Sequence, residues 1–98
     1  MNKVYLGDRT IDGIVVTVDG KPLDEHTQTK CYSRNGFEWS YEGPEPSQLA
    51  YAMLVDHLGD TARAEQLQAP FMRSVVANFQ NEWEMTSSDI DRILQQLR

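Results

Sequence analysis

Along the chain, hydrophobic positions fall first in short β-prone runs and then, beyond a Gly/Pro break at Gly43-Pro44-Glu45-Pro46, in stripes of helical spacing. Val4-Tyr5-Leu6 is a short β-prone run closed by Gly7-Asp8. Ile14 to Val18 is rich in β-branched residues and is bracketed by Asp12-Gly13 and Asp19-Gly20, turn dipeptides that work because glycine accepts positive φ. This predicts a hairpin whose return strand holds Lys21 to Leu23. Pro22, which lacks an N–H, then belongs on an edge or at the strand start. His26 to Tyr32 alternates only loosely and reads as either a third strand or an extended loop. In Phe37-Glu38-Trp39-Ser40-Tyr41-Glu42, aromatic residues at every second position predict a half-buried strand with its aromatic face on the helices.

Pro46 is well placed to open a helix in its first turn, and the first helix is predicted from Pro46 or Ser47 to Leu58. Leu49, Tyr51, Met53, Leu54, Val55 and Leu58 make it apolar almost all round, as in a central buried helix. Gly59 suits its C-terminal cap and Asp60 the N-cap of the next helix. That second stretch, Thr61 to about Phe79, is expected to kink or split at Pro70, with Met72, Val75, Val76 and Phe79 on one stripe. Trp83 falls in a short linker or strand, Glu82 to Met85. Thr86 or Ser87 caps a final helix whose apolar face is Ile90, Ile93, Leu94 and Leu97. The expected fold class is α+β: a small antiparallel sheet from the N-terminal strands packed against three or four C-terminal helices. Residues 1–98 are expected to form a single domain, strand-rich over 1–42 and helix-rich over 46–98.

Composition narrows the functional classes. The chain has 98 residues, 40% of them hydrophobic and 24% charged, as expected of one folded domain with one core. A single cysteine, Cys31, permits no internal disulfide, and the start MNKVYLGDRT lacks the apolar run of a secretory signal, so a reducing, cytoplasmic setting is expected. The longest purely apolar run, Leu49 to Val55, falls far short of the roughly twenty residues that span a bilayer. Fifteen Asp and Glu against nine Lys and Arg give a net charge of −6, which repels phosphate backbones and argues against direct nucleic-acid binding. Charge is also uneven. Between Asn35 and Ala62 there is no Lys or Arg, while Glu38, Glu42, Glu45, Asp56 and Asp60 supply five carboxylates.

The stretch GFEWSYEGPEPSQLAYAMLVDHLGD resembles a widespread family of small uncharacterised bacterial, phage and mobile-element proteins, a domain of unknown function whose members carry a Gly-Phe-Glu-Trp-Gly-Tyr segment leading into a Gln-Leu-Ala helix. The resemblance extends to Tyr5-Leu6-Gly7, Asp12-Gly13, the VTVDGKPL run, Val75-Val76-Ala77, Trp83 and the closing Ile90 helix. It implies the architecture and no activity. Ser40 stands where the family usually has Gly, and Glu42 and Glu45 stand where small residues are usual. Two added carboxylates oppose an anion-cradling role for Gly43.

Catalytic and metal chemistry finds no motif with suitable spacing. His57 beside Asp56, with Asp60 three residues on, lies at a helix C-terminus, where a His complements the macrodipole. Cys31 with His26 or His57 is a nucleophile and base on inventory alone. No catalytic residue, metal ligand or cofactor is expected. The favoured reading is a non-enzymatic interaction module of a phage or mobile element, monomeric or homodimeric. Its partner would be a protein with a basic surface, bound through Glu38, Trp39, Tyr41, Glu42, Glu45 and Asp56. The alternative is a small-ligand-binding or hydrolytic domain with its site beside Glu38, Trp39 and Tyr41.

Overall fold

Glycine and aspartate turns set the register of the sheet. In the computed structural model, which describes residues 2–97, strand β1 spans Val4–Thr10, β2 spans Gly13–Val18 and β3 spans Lys21–Pro22. The β2–β3 turn has φ of 51° at Asp19 and 82° at Gly20, positive at both central residues as a type I′ hairpin requires. Asp19 also holds the start of β1, because its carboxylate accepts from the Val4 amide at 2.9 Å. A fourth strand, β4 (Trp83–Thr86), returns from the C-terminal half and pairs with the other side of β1, giving the antiparallel order β3-β2-β1-β4. Pro22 sits in the edge strand, where its missing N–H breaks no inner ladder.

Alternation along the strands separates two faces. Tyr5, Gly7, Val16 and Trp83 are buried, while Leu6, Val15 and Glu84 between them are exposed. The inward face joins the helices in one core with Leu49, Met53, Leu54, Phe71, Val76 and Ile90.

Three α-helices follow: α1 (Pro44–Leu58), α2 (Thr61–Ser74) and α3 (Ser87–Gln96). Helix α1 starts two residues earlier than expected, at Pro44. Every residue from Pro46 to Val55 is buried, as its all-round apolar pattern demands. Gly59, at φ 66°, closes it in the left-handed conformation, and the Asp60 side chain caps α2 by accepting from the Arg63 amide at 3.1 Å.

Pro70 does not split α2, which runs through it to Ser74. The proline removes one bond, to the carbonyl of Gln66, and Gln66 is exposed, so water can satisfy that oxygen. The break comes instead at Val75, with φ −121° and ψ −65°, followed by a 3-10 turn at Val76–Asn78. The stripe expected to carry Met72 to Phe79 on one helix is therefore divided. Helix α3 opens on a capping box: Thr86 Oγ1 accepts from the Asp89 amide at 3.1 Å, and the Asp89 carboxylate accepts from the Thr86 amide at 3.0 Å.

Residues 37–42, expected as a strand, form none, and neither do residues 26–32. Positive φ values of 85° at Gly36 and 80° at Ser40 turn the chain out of any extended path. The alternating aromatics do not share a face either: Trp39 is fully buried, Phe37 half-buried and Tyr41 exposed.

Candidate functional site

The irregular segment is held to the sheet by one side chain that pattern reading passed over. Arg9 lies on the inward face of β1, and its Nη2 donates to Glu38 Oε1 at 2.6 Å and to the Trp39 carbonyl at 2.7 Å. Its Nη1 donates to Asn81 Oδ1 at 2.6 Å, and its guanidinium carbon lies 4.7 Å from the centre of the Trp39 ring. One planar cation thus joins β1, the 37–42 segment and the approach to β4, a task suited to the fixed fork of guanidinium. Glu38 Oε1 also accepts from the Trp39 amide at 3.0 Å. The Ser40 amide donates to Val76 O at 3.1 Å and its hydroxyl to Phe79 O.

Beneath this clamp lies an aromatic layer. Trp39 meets Trp83 edge to face at 5.8 Å and 86°, and Phe79 stacks on Trp83 at 4.2 Å and 12°. Gly7 makes the layer possible, since a Cβ there would lie 2.1 Å from Trp83 Nε1. The indole N–H groups of Trp39 and Trp83 are buried with no hydrogen-bond partner among the described residues.

The six residues expected to bind a partner do not form one patch. Trp39 is core, and Glu38 is engaged by Arg9. Glu45 accepts from the Tyr41 hydroxyl at 2.8 Å and the Ser33 hydroxyl at 2.9 Å, and these bonds hold its carboxyl below the usual range. Tyr41 is pushed up to about 12, by desolvation first and then by the hydrogen bond to Glu45. Asp56 stands near the other end of α1, about 16 Å along the axis from Glu45. It accepts from the Tyr5 hydroxyl at 2.6 Å and from Lys3 Nζ at 3.2 Å. Burial and then Asp56 push the Tyr5 phenol far up. Only Glu42, exposed and without a side-chain partner among the described residues, and the half-covered ring of Tyr41 face outward.

The other candidates disperse in the same way. His57 Nε2 lies 2.6 Å from Asp91 Oδ1 and joins α1 to α3, while Asp60 caps α2, so the apparent Asp56-His57-Asp60 cluster is three separate contacts. Cys31 is exposed. Among the described residues, no three His, Cys, Asp or Glu side chains are grouped to hold a metal, and no helix is long and apolar enough to cross a membrane.

A second residue outside the expected set organises the loop before α1. Gln48 is fully buried. Its Oε1 accepts from the amides of Tyr32 at 2.6 Å and Ser33 at 3.1 Å, and its Nε2 donates to the carbonyls of Glu25 at 2.7 Å and Lys30 at 3.1 Å. All four hydrogen-bonding positions of the amide are used, the condition for burying it at low cost. The sequence signal was there: one amide in a helix apolar on every side must have partners.

These elements define a small α+β protein with helices on one face of a four-stranded antiparallel sheet and polar side chains that tie the irregular segments to it. It belongs to a family of unknown function, DUF6166, whose model matches residues 5–96. No curated protein and no solved structure matches the chain. Within the matched span, Ser40 holds a φ of 80°, a conformation that glycine adopts without strain.

Proposed function

We propose that this protein is a non-enzymatic interaction module that binds a basic surface on a partner protein in the cytoplasm. In its most concrete form it is an accessory protein of a phage or mobile element that occupies Lys and Arg patches of a host nucleic-acid-handling or defence complex. The observation that carries this reading is the charge balance. Each internal ion pair, Lys3 with Asp56, Arg9 with Glu38, Lys30 with Glu65 and Arg92 with Asp89, consumes one charge of each sign. The surplus of fifteen acids over nine bases is therefore carried by groups left outside those pairs. A surface of that sign steers toward cations and away from phosphates.

The test is capture from lysate of the native host on the tagged protein, at low and moderate salt, read by mass spectrometry. A single basic protein recovered in near-equal amount, and weakened as salt rises, is the expected result. Recovery that does not respond to salt would remove the electrostatic basis of the proposal.

A further inference from the structure

Among the described residues the outward face of the sheet carries no helix, and its composition is one-sided. In the register of the strands, Leu6 stands between Thr17 and Glu84, and Asp8 is opposite Val15. Leu6 is 41% and Val15 48% exposed, both high for aliphatic residues on a sheet. Beside them a shallow hollow of about 400 Å³ is bordered by Leu6, Asp8, Glu82 and Glu84, above the paired backbone of Gly7 and Trp83. Asp8 on β1 and Glu84 on β4 lie diagonally on adjacent strands, with Glu82 just before β4, and like charges so close together cost stability. By register no Lys or Arg occupies an outward position of the four strands: Arg9 of β1 and Lys21 of β3 fall on the inward side, Arg9 bonded to Glu38, and Lys3, just before β1, reaches Asp56.

The geometry points to this face, rather than the 38–56 segment, as the docking surface for the basic partner. The occupant it fits is an amphipathic helix with an aliphatic stripe flanked by Lys and Arg; this assignment rests on the interaction reading above. Three adjacent strands span about 10 Å, the diameter of a helix. A helix laid along them would set its stripe on Leu6 and Val15 and its cations over Asp8, Glu82 and Glu84. A second copy of this chain fits poorly, because it would bring the same carboxylates face to face.

The test titrates the isotopically labelled protein with a synthetic amphipathic Leu/Lys helix, read by NMR shifts and by anisotropy. Shifts are expected to concentrate at Leu6, Asp8, Val15 and Glu84. The variant Asp8→Asn/Glu82→Gln/Glu84→Gln is expected to raise Kd about tenfold, and Leu6→Thr/Val15→Thr to weaken binding as well. A variant matched in charge, Asp12→Asn/Glu42→Gln/Glu65→Gln, should bind nearly as well as the parent. Shifts elsewhere, equal loss in the matched variant, or no binding at all would overturn the assignment. So would a concentration-dependent dimer abolished by Leu6→Thr/Val15→Thr. Lysate capture with the first variant separates the two ideas. If it still recovers a salt-sensitive basic protein at the parent's level, the surface falls and the interaction reading stands. If the parent itself recovers none, both fall.

Discussion

Gly7 and Trp83 are cross-strand partners in which the absence of one side chain makes room for the other: a Cβ on Gly7 would sit 2.1 Å from the indole nitrogen. No rotation of a flexible tip relieves that overlap, since the indole is wedged between Trp39 and Phe79. Gly7→Ala is therefore expected to destabilise by about 3 kcal/mol, the upper range for overpacking. In Trp83→Leu the same glycine change should cost much less. A double-mutant cycle by urea unfolding checks this, and additive effects would show that the two residues are not in conflict.

Gln48 supplies a second prediction. Gln48→Leu keeps the volume but strands the amides of Tyr32 and Ser33 and the carbonyls of Glu25 and Lys30, all of which now meet its side chain. Stranded groups cost about 1–3 kcal/mol each when they stay buried, so the loop should leave the helix and hydrate instead. The expected result is fast proteolysis within residues 24–35 and lost amide protection at Tyr32 and Ser33, with helix content largely kept. Unchanged cleavage would mean that the loop is held by something else.

Much of the architecture was legible because it depends on neighbours in sequence. Asp19-Gly20, Gly59, Asp60 and Thr86 act within a few residues of themselves, and each does in the structure what its chemistry allows. Other features were not. The two-residue rhythm of Phe37, Trp39 and Tyr41 identifies a strand only if a ladder partner exists, and here the backbone turns at Gly36 and Ser40 instead. The fates of the carboxylates were hidden for a related reason. Glu38 is matched by Arg9, 29 positions away, and Asp56 by Tyr5, 51 positions away. A run of acids without local cations looks like a free surface until the fold brings distant cations and hydroxyls to it.

Ser40 allows the backbone term to be isolated. Its φ of 80° strains any residue with a Cβ, while its hydroxyl donates to Phe79 O. Comparing Ser40→Ala with Ser40→Gly removes the hydroxyl from both. The glycine variant should be the more stable by about 1 kcal/mol, from the left-handed conformation alone. Thermal and urea unfolding of the pair would check it, and equal stability would argue that the positive φ relaxes in solution.

The Tyr41–Glu45 contact predicts opposite behaviour at the two ends of the pH scale. The native Glu45 carboxyl is held below its ordinary value, chiefly by the Tyr41 hydroxyl. Its contribution is therefore complete above the unfolded pKa, near 4, and is lost as pH falls through the lower native value. Tyr41 has the reverse sign: with its native value raised to about 12, its contribution is complete below the unfolded value near 10 and disappears as pH rises through 12. Tyr41→Phe should flatten both limbs of a plot of urea midpoint against pH, whereas Glu45→Gln should flatten the acid limb and lessen the alkaline one. Asp89, held low by the Thr86 amide, adds to the acid limb independently, so part of it should survive in Glu45→Gln and disappear only when Asp89→Asn is added. If Tyr41→Phe left both limbs as steep as in the parent, the bond between phenol and carboxylate would not be the origin of either.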